Sequence, residues 1–300
     1  MTAFCSFFVI SSEPEGEPRN LFTNFASHMN KDRNIQVMGI VNLTDDSYFG
    51  DSRCDDVHAA LERVATLVGE SADIIDIGAC STRPGSLPVG PDEEWRRLEP
   101  VLKAVKEKYP DLTISIDTYW ASVVEKAYDL IGTFIVNDIS AGEDDPEMLP
   151  LVGRLGLQYV AMHKRGTPEV MQDNVDSDNL IVDIVQYFKI FSKRAEKYGI
   201  CNWILDPGFG FSKTLEQNYN LLKGLSEFGH ILLRDGTPVP VLVGVSRKSM
   251  IYRLFAISPE ESLPATQVLH FYALQNGASI LRVHDVAEAK QAIKLYRMLF

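Results

Sequence analysis

The 300-residue chain has a net charge of −12, with 45% apolar and 23% charged residues. That is enough to bury a large core, and a single α/β barrel takes up roughly 250 residues. The acidic balance argues against a nucleic-acid partner, since gripping a phosphate backbone needs clustered Lys and Arg, and no apolar run approaches the ~20 residues of a membrane span.

Residues 1–34 read as an N-terminal extension. Ala3 to Ile10 is apolar but lacks the basic flank of a signal peptide. Ser11 to Asn20 is polar and rich in Pro and Glu, which reads as loop. Met29 is a possible alternative start.

From residue 35 to 300 the pattern alternates. Short apolar runs occur at 36–41, 73–77, 113–117, 133–137, 158–162, 202–206, 240–244 and 279–283. Continuous apolar runs of this length suit strands buried on both faces. Between them, apolar residues at three- and four-residue spacing predict helices over 57–68, 93–108, 121–130, 180–198, 215–228, 260–275 and 286–299, with a shorter one over 146–155. Asp92 and Asp145 are candidate N-caps, and Gly199 and Gly277 candidate helix stops. Strands alternating with helices imply βαβ units. Eight units without a linker favour a single (β/α)8 TIM barrel over an open doubly wound sheet. Cys5, Cys54, Cys80 and Cys201 form no CxxC pair and read as reduced thiols of a cytoplasmic protein.

In such a barrel the chemistry lies at the C-terminal ends of the strands. There the sequence places Asn42, then Ser81-Thr82-Arg83-Pro84-Gly85, Asp117, Asn137-Asp138, Met162-His163, Asp206-Pro-Gly-Phe-Gly-Phe211, Ser246-Arg247-Lys248-Ser249, and Arg282 with His284. Each alone is weak. DPGFGF lacks the spacing of a dinucleotide fingerprint, and SRKS lacks a P-loop frame. Together they converge on one mouth, which a barrel's own apolar core does not require. Asp117, Asn137 and Asp206 suit a flat heterocycle with several N–H donors, because acceptors buried unpaired would each cost roughly 1–3 kcal/mol. Met162, Phe209 and Phe211 could wall the ring. Arg83, Lys248, Arg282 and His284 offer positive charge for phosphate or carboxylate. Asn42 is a neutral oxygen ligand that could help hold Mg²⁺ beside a pyrophosphate.

The segments VMGIVNLTDDSYF, IIDIGACSTRPGS, ISIDT, IVNDIS, AMHKRGTPEVMQ, ILDPGFGFSKTLEQNYNLL, LVGVSRKSMI and ILRVHDV resemble the dihydropteroate synthase family in order and spacing, from about residue 36 to the C-terminus. The resemblance implies condensation of 6-hydroxymethyl-7,8-dihydropterin pyrophosphate with p-aminobenzoate, giving 7,8-dihydropteroate and pyrophosphate. It further implies pterin held by Asp117, Asn137, Asp206 and Lys248 in a pocket lined by Met162 and Phe211. Asn42 is implied as the Mg²⁺ ligand, with diphosphate on Arg282 and His284. Thr82, Arg83 and Pro84 are implied in a loop forming the p-aminobenzoate site, with Lys248 and Ser249 near that substrate's carboxylate. Asp117, Lys248, Arg282 and His284 carry the catalysis on this reading. The family is usually homodimeric, and 260–275 and 286–299 are candidates for that surface.

Two positions depart from the family pattern. Asp45 stands where proline is usual, which is reminiscent of members with reduced sulfonamide sensitivity. Ala79-Cys80 stands where many members carry Gly-Glu. The rival readings are a pterin-dependent corrinoid methyltransferase, a Schiff-base aldolase using Lys248 activated by its neighbour Arg247, and a non-catalytic pterin-binding module.

Overall fold

The computed structural model describes residues 34–43, 53–80, 89–164 and 180–300, with the side chains of 53–56 excepted. All of them belong to one compact unit, Lys31–Phe300. Asp45, Thr82, Arg83 and Pro84 lie outside the described residues.

Eight parallel strands alternate with helices: β1 (Gln36–Asn42), α1 (Arg53–Gly69), β2 (Ile74–Gly78), α2 (Pro91–Lys108), β3 (Ile114–Asp117), α3 (Ala121–Ile131), β4 (Ile135–Asp138), α4 (Met148–Leu155), β5 (Gln158–Met162), α5 (Leu180–Lys197), β6 (Trp203–Asp206), α6 (Leu215–Lys223), β7 (Leu242–Val243), α7 (Ser249–Phe255), α8 (Leu263–Gln275), β8 (Ile280–Val283) and α9 (Val286–Leu299). The sheet runs β6-β5-β4-β3-β2-β1-β8-β7. A parallel bridge between Leu205 and Val241 joins its two ends, with the Leu205 amide donating to Pro240 O at 2.9 Å. The result is a (β/α)8 barrel.

Several boundaries differ from the sequence pattern for identifiable reasons. β7 shrinks to two residues because Pro238 and Pro240 have no N–H to give to a ladder. The pattern over 215–228 ends its α-helix at Lys223 and continues as a 3₁₀ turn at Leu225–His230. Asp92 is not an N-cap: Gly90 takes that position and Pro91 opens α2. Asp145 lies just before α4, whose N-cap is Glu147: one oxygen accepts from the Glu147 amide at 3.0 Å and the other from the Ala121 amide at 2.8 Å, at the start of α3.

Because side chains alternate faces along a strand, every strand serves two cores. The outward set, Tyr159 and Trp203 among it, packs under the helices against Phe188, Phe191 and Phe228. The inward set begins with a separate apolar cluster of Met38, Ile74, Ile135, Val160, Ile204, Leu242 and Ile280. This cluster is the floor of the barrel. Two residues further along each strand, the inward position becomes Ile40, Asp76, Asn137, Met162, Asp206, Gly244 and Arg282. The register pairs Asp117 with Asn137, so Asp117 faces inward beside it. The interior thus changes from oil to charge within one layer, and the site stands directly on the apolar floor. Truncating a floor residue should therefore cost a full cavity penalty. We expect Ile204→Ala to lower unfolding free energy by about 2–5 kcal/mol in urea denaturation, and a loss below about 0.5 kcal/mol would mean that the floor is not close-packed.

Candidate active site

A guanidinium ties the polar layer together. Arg282, on β8, gives Asp76 Oδ2 an Nε hydrogen bond of 2.7 Å and an Nη2 ion pair of 2.6 Å. The same Nη2 donates to Asp117 Oδ2 at 2.7 Å. Asn137 donates its amide to both oxygens of Asp76, at 3.1 and 3.3 Å. That fixes the amide's orientation and turns its oxygen away as an acceptor. Asp76 is wholly buried. Sequence reading placed it inside a strand run and assigned it no role. The signal was a carboxylate at the inward parity of Ile74-Ile75-Asp76-Ile77, a place where charge persists only when paired.

Burial pushes the Asp117 carboxyl up to about 7; the Arg282 charge opposes this, while Asp76, Asp138 and Asp206 reinforce it. Burial also raises Asp206, against the pull of Lys248. Lys248 is itself brought down to about 8 by burial, with Asp206 opposing the shift. Its ammonium donates to Phe209 O and lies 4.7 Å from the centre of the Phe211 ring. One lysine is thereby fixed between an acceptor loop and an aromatic wall.

The β6–α6 loop explains its own glycines. Gly208 has φ +73°, and a Cβ there would meet His163 O at 2.0 Å. Gly210 has φ +81°, and a Cβ there would meet Lys248 Cδ at 3.2 Å. Any other residue at either position would be strained and would press on the end of β5 or on the lysine. Lys213, which sequence reading missed, pins this loop. It donates to Gly208 O at 2.8 Å, Phe211 O at 3.1 Å and His163 O at 3.4 Å, and lies 3.3 Å from His163 Nδ1. Its signal was a lysine two residues beyond a Gly-rich turn, which bare carbonyls can hold.

Some expected residues fall elsewhere. Phe209 does not wall the pocket: its ring is buried in the core under the helices, and only its carbonyl reaches the mouth. Asp138 faces outward, accepting from Ser140, Gly142 and Tyr159. Met162 and Phe211 stand at the mouth, the former buried and the latter half-buried. Ser249 opens α7. His284 makes a reciprocal contact with Ser246: its Nδ1 lies 3.2 Å from Ser246 Oγ, and its amide donates to the same oxygen at 3.2 Å. Burial, helped by Arg282, brings its imidazole down to about 4. It is neutral at pH 7 in the ligand-free chain rather than a resident cation. Arg247 does not activate Lys248: its guanidinium is bound by Asp285.

Asn42 ends β1 at the mouth, paired in register with Gly78. Asp76 and Asp117 are occupied by Arg282, and no group of three or more His, Cys, Asp or Glu that could hold a metal ion occurs among the described residues. Among the described residues, Asn42 is a neutral oxygen at the mouth of the type that a hard cation accepts.

Residues 38–284 match the family described as pterin binding enzyme. The dihydropteroate synthase of Escherichia coli (strain K12) is 37% identical over 261 residues, covering 86% of this chain and 89% of the relative. Two solved structures superpose closely. One is dihydropteroate synthase from Clostridium difficile in the presence of pteroic acid, with TM-score 0.81, 34% identity, and 90% and 98% of the two chains covered. The other is the Xanthomonas albilineans enzyme with 4-aminobenzoic acid, with TM-score 0.80, 34% identity, and 90% and 94% covered.

One acid beside the mouth has no counterpart. Glu94, in the first turn of α2, is fully buried; among the described residues neither carboxylate oxygen has a partner of full hydrogen-bond geometry, and Thr118 only partly offsets its burial. Burial pushes it from 4.5 up to about 7, and the Asp117 charge adds to the shift. Between those two pH values the folded chain holds a proton that the unfolded chain has released, so stability falls as pH rises through that window. Glu94→Gln is free of this loss. It should melt higher than the parent at pH 8 and close to it at pH 4.5, and a melting difference independent of pH would remove the account.

Proposed function

The chain belongs to the pterin binding enzyme family as one of its dihydropteroate synthases, and we propose how the mouth of its barrel divides that work. The observation that carries the proposal is the single buried network in which Arg282 joins Asp76 and Asp117 while Asn137 holds Asp76. It ties the acceptors for a donor-rich ring to the cation for a diphosphate.

The pterin edge presents N–H donors to Asp206, to Asn137 Oδ1 and to Asp117. Met162 and Phe211 flank the ring, and Lys248 reaches it from over Phe211. The diphosphate lies toward Arg282 and His284. A neutral His284 favours taking up a proton when that anion arrives, because a nearby negative charge raises an imidazole's pKa. Mg²⁺ would be held by Asn42 and the diphosphate oxygens, and would neutralise charge on the leaving group.

The bond between the pterin methylene carbon and the diphosphate oxygen breaks, with its electron pair leaving on oxygen toward Arg282 and His284. The remaining pterin cation is stabilised by the Asp117 carboxylate, whose position is fixed by Arg282. The amine of p-aminobenzoate forms the new C–N bond and loses a proton. Thr82, Arg83, Pro84 and Ser249 take part in binding that second substrate, whose carboxylate meets Lys248. No protein nucleophile is required.

The apolar side chains exposed on α8 and α9 include Val268, Tyr272, Leu295, Met298 and Leu299. A second copy of the chain on this face accounts for them. No helix among the described residues is long and apolar enough to cross a membrane, and a cytoplasmic location fits the reduced thiols.

The test is pyrophosphate release from 6-hydroxymethyl-7,8-dihydropterin pyrophosphate with and without p-aminobenzoate and Mg²⁺. Release should depend on both and yield dihydropteroate, and Asp117→Asn should lower kcat by about a hundredfold or more. Pterin binding without amine-dependent turnover would overturn the reading in favour of a binding module. Asp45 is proposed to weaken sulfonamide inhibition by replacing a rigid proline with a flexible carboxylate. Asp45→Pro should then bind sulfonamide more tightly, and an unchanged inhibition constant would refute that role.

A further inference from the structure

We propose that Arg247 is a positioning residue that, clamped by Asp285, aims Lys248 into the mouth. The proposal rests on the role given to Lys248 above. Three observations carry it. First, Arg247 makes a fork on Asp285, with Nε to Oδ2 at 2.9 Å and Nη2 to Oδ1 at 2.6 Å. Such planar two-point pairing fixes direction as well as charge. Second, Asp285 occupies the N-cap of α9 yet makes no side-chain cap hydrogen bond. An aspartate there would ordinarily cap the helix; here both oxygens are committed to Arg247 instead. Third, Arg247 has φ +53°, a left-handed conformation uncommon for a side chain of its size.

That local strain has a geometric product. The left-handed residue turns the chain back so that the Lys248 amide donates to Val245 O at 3.2 Å. The next residue opens α7, and the Lys248 side chain is sent toward Phe209 O. The Arg247 amide is held by Thr266 Oγ1 at 3.4 Å, and that hydroxyl donates to Ser262 O at 2.9 Å. The turn is thus fastened at its backbone to α8 and at its side chain to the start of α9. The same β8–α9 junction carries His284, which is bound to Ser246 on the other side of the turn. The clamp therefore sets the spacing between the lysine and the histidine. Without it, a left-handed arginine would relax and Lys248 would leave its slot. Lys248 is faced there by Asp206, Asp117 and Arg282.

The test combines a chemical probe with kinetics. Lys248 is labelled with trinitrobenzenesulfonate at fixed pH and quantified by peptide mass spectrometry in the wild type, Asp285→Asn, Arg247→Lys and the exchanged pair Arg247→Asp/Asp285→Arg. Asp285→Asn keeps the shape of the residue, so it guards against a folding artefact in Arg247→Lys, and thermal melts accompany each variant. Both single variants should label Lys248 several-fold faster. Their kcat/KM for p-aminobenzoate should fall about tenfold, and the exchanged pair should recover part of both. Labelling and kinetics at wild-type values in both single variants would overturn the proposal. Faster labelling with unchanged kinetics would support the clamp and remove the role of Lys248 in turnover. Slower turnover with unchanged labelling would overturn the clamp, since Arg247 would then act by another route.

Discussion

A guanidinium inside a barrel is tolerable only if carboxylates meet it, and much else in this site follows from that one requirement. Arg282 lies inside the barrel, and two aspartates bind it from neighbouring strands at 2.6 to 2.7 Å. Asp76 must then be satisfied on its remaining side, which is why Asn137 spends its amide there. The apolar floor beneath keeps water from doing the same job more cheaply. Burial raises Asp117 to about 7, with the neighbouring carboxylates reinforcing it, and burial raises Asp206 as well. A mouth left in that condition favours ligands that bring N–H donors. A flat, donor-rich ring relieves the excess of acceptors in a way that water at an enclosed surface cannot match.

The second organising element is the β6–α6 loop. Gly208 lets the backbone pass against the end of β5, and Gly210 leaves room for Lys248. Lys213 then draws the carbonyls of Gly208 and Phe211 toward His163. A segment with no recognisable nucleotide-binding spacing still has a firm reason for its glycines: three strand ends converge on it. Its carbonyl at Phe209 and its ring at Phe211 together make the slot for Lys248, so the lysine is placed by a loop from one side and by its own turn from the other.

How much of this was legible in the sequence divides along a physical line. The alternation of strands and helices was readable, because parallel strands covered on both faces leave long apolar runs. The strand-end residues were readable too, because polar groups recurring at the same point of each βα unit must converge. What the runs concealed was direction. Asp76 lies within an apolar run and only strand parity marks it as inward; Phe209 lies in the functional loop, yet its ring turns outward. Asp145 serves two partners, the Glu147 amide beside its own helix and the distant Ala121 amide, whereas Asp285 stands at an N-cap and serves Arg247 instead. A one-dimensional pattern records the spacing of such residues but not the competition for their oxygens. For Asp285 that competition was decided by Arg247, which takes both oxygens. β7 is shorter than its run for a different reason, since Pro240 lacks a ladder donor that the hydrophobic pattern does not count.

Arg282 is already matched by two carboxylates, and His284 is neutral near pH 7 because it is buried beside that same arginine. Among the described residues, the half of the mouth assigned to the diphosphate holds Arg282, which two carboxylates already match, and Arg63, which donates to His284 O. On the proposed reading, the extra charge arrives with the substrate, as a proton taken up by His284 and a divalent cation carried by the diphosphate. This arrangement spares the barrel a second unpaired buried charge at His284. It also makes tight binding conditional on the whole substrate. The ring must relieve the acceptors before the anion can draw on an arginine that those same acceptors hold. Discrimination against free phosphate and against a pterin without its diphosphate then follows from one shared network rather than from two independent pockets.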